Sequence, residues 1–299
     1  MVLERLHWMH VLIGLAVLVA AAFAISPASE DVRTELSPSR GELGVIKVTG
    51  PISYGDEFRD SGISPRTLDD LTKQATSDGA DALLYEIDSG GGAVVASKEA
   101  ARVIAEADVP TVCRLREVAA SGAYWAASAC DTVVADPLTL TGSIGVSSTY
   151  LEFSGLLDRF GVEYVNLTAG KYKDMGSQYK NLTPAERERF NDILNQTHAA
   201  FIQAIAENRN MSYDAVESAA TGEVFLGREA KRLGLVDRLG GRDTAIAVAR
   251  NLTDTTELET TAYSPPQKFD ALSFLFSSIG DGIATGLKGE DGSGFDRGT

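Results

Sequence analysis

The chain has 299 residues, 44% of them hydrophobic and 23% charged, with 27 Lys plus Arg against 42 Asp plus Glu and a net charge of −15. That length buries a full core in one α/β domain of ordinary size plus extensions. The acidic balance argues against a nucleic-acid partner, which needs clustered Lys and Arg, and two Cys cannot make a disulfide-stapled scaffold. The basic residues are 18 Arg and 9 Lys, and an acidic, Lys-poor surface fits solubility in concentrated salt.

From Trp8 to Ile25 run 18 uncharged residues, at about 1.5 Å each just enough to cross a hydrocarbon layer of about 30 Å. Residues 1–25 therefore read as a membrane anchor or signal segment, with Ala22-Phe23-Ala24 offering a cleavage site for the second reading. Arg5 precedes the span while Glu30 and Asp31 follow it, so a single-pass protein in the cell membrane with its bulk outside the cytoplasm is expected. Five of the seven Asn, namely Asn166, Asn181, Asn195, Asn210 and Asn251, head Asn-x-Ser/Thr sequons. That excess also favours exposure to external glycosylation machinery.

Residues 26–42 lack apolar periodicity and read as a linker. An α/β domain is expected over 43–250. Buried strands are expected at 44–48, 82–87, 111–113 and 132–134, and Ala96, Ala100, Val103 and Ile104 share one helical face between them. Strands alternating with helices predict a mostly parallel sheet. Thr183, Pro184 and Glu186 form a capping box that starts a long helix with Phe190, Ile193, Leu194, Phe201, Ala204 and Ile205 on one side. Residues 251–299 read as a C-terminal tail, broken by an aromatic patch at 269–276.

The chemistry must come from few residues. His198 is the lone His beyond the apolar span, too little for a zinc site, and a lone helical His is assigned no role. Cys113 and Cys130 read as small buried hydrophobes. Two turns stand out. Strand 82–87 runs into Asp88-Ser-Gly-Gly-Gly92, where bare N–H groups can approach an anionic or polarised oxygen. A phosphate loop is the rival, without its usual Lys-bearing motif. Strand 111–115 is followed by Ser121-Gly122 at the entry to an apolar helix, where Ser121 is either a helix cap or a nucleophile.

Residues 85–92 (YEIDSGGG), 119–131 (AASGAYWAASACD), 141–146 (TGSIGV), 169–177 (AGKYKDMGS) and 221–241 together resemble the signal peptide peptidase A family of Ser-Lys membrane peptidases. The resemblance implies a Clp protease/crotonase-like α/β fold of repeated β-β-α units behind an N-terminal transmembrane helix. It implies Ser121 as nucleophile, Lys173 as general base, Ser143 orienting the lysine, and the N–H groups of Gly91 and Gly122 as oxyanion hole. It further implies a ring- or bowl-shaped homo-oligomer whose serine and lysine meet between neighbouring units, and neither metal nor organic cofactor. Gly90, Asp88 and Ala123 stand where the family commonly has Pro, Asn and Gly, which bears on rate and preference rather than on reaction class.

A Ser-Lys pair is also physically sound. An ordinary lysine is almost wholly protonated at neutral pH, and burial away from carboxylates lowers its pKa toward a useful base. Asp174 would oppose this if it paired with Lys173. The expected activity is a membrane-anchored serine endopeptidase acting on remnant signal peptides or other short apolar peptides. A related protease for membrane-protein quality control, a crotonase-like hydratase and a catalytically dead oligomeric scaffold are the alternatives.

Overall fold

The computed structural model describes residues 40–54 and 62–264. The apolar span before residue 26 and the aromatic patch at 269–276 lie outside the described residues. Among the described residues no helix is long and apolar enough to cross a membrane.

Four parallel strands form one side of a sheet: β1 (Arg40–Thr49), β2 (Ala82–Ser89), β3 (Thr111–Ala120) and β8 (Glu257–Tyr263), with β8 at the edge, β1 between β8 and β2, and β2 beside β3. The crossovers are helices α1 (Pro65–Ser77) and α2 (Val94–Ala105). Beyond β3 the sheet forks. The first half of β3 pairs with β4 (Thr132–Ala135), and its last residues pair with β5 (Leu140–Gly142). β5 carries the short antiparallel β6 (Val224–Leu226), and β4 carries β7 (Arg238–Leu239).

β2 is buried on both faces, as a central parallel strand must be. Its Leu83, Tyr85 and Ile87 join the main core under α1, α2 and α3 (Gly122–Ser128). Leu84, with Val45, Val112 and Val134, faces Ala245 and Ala249 of α8 (Arg242–Leu252) in a smaller core on the other side. The period of two thus sorts side chains between two helical layers. On α2, Ala96, Ala100, Val103 and Ile104 are buried, as the sequence pattern predicts.

The capping box at Thr183 and Glu186 is present and starts α5 (Pro184–Asn208). Only the second half of that helix enters the core, through Phe201, Ile202, Ile205 and Ala206, while Ile193 is exposed. α4 (Ser154–Arg159), α6 (Tyr213–Ala219) and α7 (Gly227–Arg232) complete the described helices.

Three expectations change. The sheet takes in Arg40 to Glu42 of the expected linker, because β1 pairs with β8 from Arg40 onward. It also takes in part of the expected tail, since β8 binds in register with Arg40 to Ile46. Cys113 and Cys130 are buried as expected, yet they form a disulfide with Cα atoms 5.7 Å apart. The turn at Ser121 folds α3 back along β3 and brings the two thiols together.

Candidate active site

The site is assembled where β2, β3 and β5 end. Ser121 follows the last residue of β3 with φ 54° and ψ −126°, a conformation that costs a non-glycine residue about 1–3 kcal/mol and clusters at functional sites. Two main-chain bonds hold it: its N–H donates to the Gly142 carbonyl (2.8 Å), and its carbonyl accepts from Trp125 N–H (3.0 Å). Ser121 occupies the N-cap position of α3, but its hydroxyl makes no capping bond. The helix-cap reading therefore fails, and the hydroxyl is left facing a cavity. α3 is a firm base, buried throughout, with the Tyr124 hydroxyl donating to the Leu235 carbonyl at 2.8 Å. Burial pushes that phenol well above its ordinary pKa.

The glycine turn packs directly against this elbow. Gly91 has φ +98°, and a Cβ there would lie 2.6 Å from Gly122 N, so only glycine fits. Gly91 N–H, expected in the oxyanion hole, donates to Ser89 Oγ at 3.1 Å. Gly92 N lies 3.2 Å from where a Gly122 Cβ would stand. Among the described residues neither Gly92 N–H nor Gly122 N–H has an acceptor. Asp88, in place of the more usual Asn, accepts from Val118 N–H (3.3 Å) and faces Arg116 (3.7 Å), tying the turn to β3.

Two cavities meet at Ser121. One of about 150 Å³ is lined by Gly92, Ser97, Gly122, Trp125, Val146 and Phe201, among others. Trp125 and Phe201 stack at 4.4 Å between centroids. The other, about 330 Å³, brings Ser121 together with Ser143, Leu194, Asn195, His198 and Thr221. Ser143 has φ 50° and donates its N–H to the Glu223 carbonyl at 2.7 Å. His198 Nε2 lies 3.3 Å from the Ile144 carbonyl oxygen, an acceptor that requires the proton on Nε2. Sequence reasoning gave His198 no part; the signal was its spacing of three and four residues from Asn195 and Leu194, which line the same cavity. Among the described residues no three His, Cys, Asp or Glu side chains gather as a metal site would need.

Lys173 lines neither cavity. It lies in an exposed turn, and among the described residues its ammonium makes no ion pair. Lys171, two positions away, instead sits 4.8 Å over the Tyr172 ring. The carboxylate that could have held Lys173 charged is taken: Asp174 binds Lys180 at 3.0 Å and accepts from Asn166 Nδ2 at 2.7 Å. Lys180 also binds Glu186 at 2.6 Å. The Lys180 ammonium holds both carboxyls below their usual range, Glu186 at about 2, and their charges raise Lys180 in turn. Large side chains around this segment are unusually exposed, including Leu151, Phe160, Val165 and Leu167.

Residues 104–256 match peptidase family S49. A chain named as a protease in Methanocaldococcus jannaschii is 33% identical over 241 residues, covering 79% of this chain and 76% of that one. The chloroplastic serine protease SPPA of Arabidopsis thaliana is 31% identical over 222 residues, 73% of this chain but 32% of the plant protein. In structure, the 1510-N membrane-bound stomatin-specific protease, solved as a lysine-to-alanine mutant with a substrate peptide, aligns over 80% of this chain and 99% of its own at TM-score 0.51 and 16% identity. That similarity identifies the α/β fold, and the sequence matches identify the reaction class. The chain belongs to peptidase family S49 and is a serine-type peptidase.

Proposed function

We propose that the chain is a membrane-anchored Ser-Lys endopeptidase, its catalytic domain outside the cytoplasm, that cleaves remnant signal peptides or other short apolar peptides. The observation that carries this reading is the strained Ser121 elbow, whose hydroxyl is free of capping and adjoins the unpaired N–H groups of Gly122 and Gly92. In the reaction Lys173 Nζ, neutral at the outset, takes the Ser121 hydroxyl proton as Oγ attacks the peptide carbonyl. The oxyanion is held by Gly122 N–H and a second N–H from the glycine turn. We assign that second donor to Gly92, because Gly91 N–H is engaged by Ser89. The lysine then protonates the leaving amine, and water releases the acyl group from Ser121. Ser143, on the shared cavity, orients the lysine.

Lys173 and Ser121 come from different copies of the chain in this reading. The exposed, unpaired lysine and the apolar surface around it support a homo-oligomer in which a neighbour buries both and removes the ammonium from water. The buried disulfide supports an oxidising, extracytoplasmic compartment. Mixing inactive Ser121→Ala and Lys173→Ala protomers under subunit exchange is expected to restore peptide cleavage. Absence of rescue, with exchange demonstrated, would place the pair within one chain. His198 on the same cavity gives a second reading, a Ser-His pair. It requires activity to survive Lys173→Ala and to vanish in His198→Ala.

A further inference from the structure

Ser97 lies on α2 with 0% exposure, and its Oγ is one of two buried side-chain polar atoms without a hydrogen-bond partner among the described residues. Such an atom carries a desolvation cost until something pairs with it. Ser97 lines the smaller cavity beside Ser121, and a Cβ on Gly122 would lie 2.1 Å from Ser97 Oγ, so the hydroxyl sits immediately under the elbow. Gly145 and Ser147 also line that cavity, and Val94, Val146 and the stacked Trp125 and Phe201 form its apolar part.

We infer that Ser97 is a specificity-determining residue that selects a hydroxyl-bearing side chain, Thr or Ser, on the residue whose carbonyl is attacked. This deepens the proposed peptidase reading and rests on it. With the carbonyl oxygen at Gly122 N and Gly92 N, the side chain on the adjoining Cα must enter the cavity that those two glycines line. A volume of about 150 Å³ takes one side chain of modest size. Its methyl or methylene meets the ring stack, and its hydroxyl exchanges a hydrogen bond with Ser97 Oγ. A Val of the same shape leaves that oxygen unpaired, and a site with a buried polar group discriminates strongly against the analogue that cannot pair with it.

The test compares two peptides that differ only in Thr or Val before the cleaved bond, with the full chain and with Ser97→Ala. The intact protein is expected to show a kcat/KM about tenfold higher for Thr than for Val. Ser97→Ala is expected to bring the ratio close to one, through a fall in kcat/KM for Thr, while retaining the melting temperature. A ratio unchanged by the substitution, or a Val preference in the intact protein, overturns the inference. Equal loss on both peptides with a lowered melting temperature also overturns it, since that marks a structural role. If the intact protein cuts neither peptide, the peptidase reading fails instead. The cavity is then probed by thermal shift with threoninal- and valinal-ended peptides, where equal shifts would overturn Ser97 as selector.

Discussion

Gly122→Ala tests the elbow most directly. The added methyl would stand 2.1 Å from Ser97 Oγ and 2.8 Å from Ser97 Cβ. The hydroxyl can rotate away, but Cβ is fixed by the α2 backbone, and 2.8 Å is about 0.6 Å short of ordinary contact. Neither helix yields easily, because both α2 and α3 are packed into the main core. Overpacking of this kind costs about 1–3 kcal/mol, which for a domain of this size lowers Tm by about 3–10 °C. Catalysis suffers more. The moved atom carries the oxyanion donor and adjoins the nucleophile, and a displacement approaching 1 Å costs about 100-fold in rate. Calorimetry, peptide cleavage and labelling of Ser121 with a fluorophosphonate read the three effects separately. Replacing Ser97 by Gly removes both clashing atoms, so Ser97→Gly with Gly122→Ala should cost less in Tm than the two single changes together. Wild-type Tm and rate in Gly122→Ala, or strict additivity in the double variant, would refute the packing argument.

Three further outcomes are expected. Glu186 is held at about 2 against an ordinary 4.5, so its contribution is complete above about pH 4.5 and is lost as pH falls toward 2; Lys180→Met should flatten that acid decline in melting temperature, and an unchanged decline would contradict the assignment. Replacing both Cys113 and Cys130 by Ala opens a covalent loop of sequence separation 17, with an expected loss of about 3 kcal/mol and about 10 °C; two titratable thiols in the unfolded native protein would show instead that the bond does not form. Lys173→Ala should abolish peptide cleavage while His198→Ala retains it, as read by kcat/KM on one peptide; the reverse outcome would transfer the base role to His198.

The parts of this architecture set by local pattern could be read from the chain. The apolar run of β2, the capping box at Thr183 and the break from β3 into Ser121-Gly122 each need only a few adjacent residues. What required the fold was long-range. ELETTAY (257–263) has too little apolar periodicity to announce β8, whose strand character comes from lying against β1. The cysteines each sit among apolar residues, and their union depends on the reversal at Ser121. Ser97 looks like any small helical residue until its hydroxyl is found unpaired beside the nucleophile.

The direction of β1 has a mechanical consequence. β1, β2, β3 and β8 all run the same way, so the chain enters the sheet at Arg40, at the edge opposite the turns bearing Ser121 and the glycines. The 10 residues of β1 put about 33 Å between that point of entry and the reactive edge. Tension applied through Arg40 would load β1 in shear against β2 and β8, starting from the end of the sheet away from Ser121.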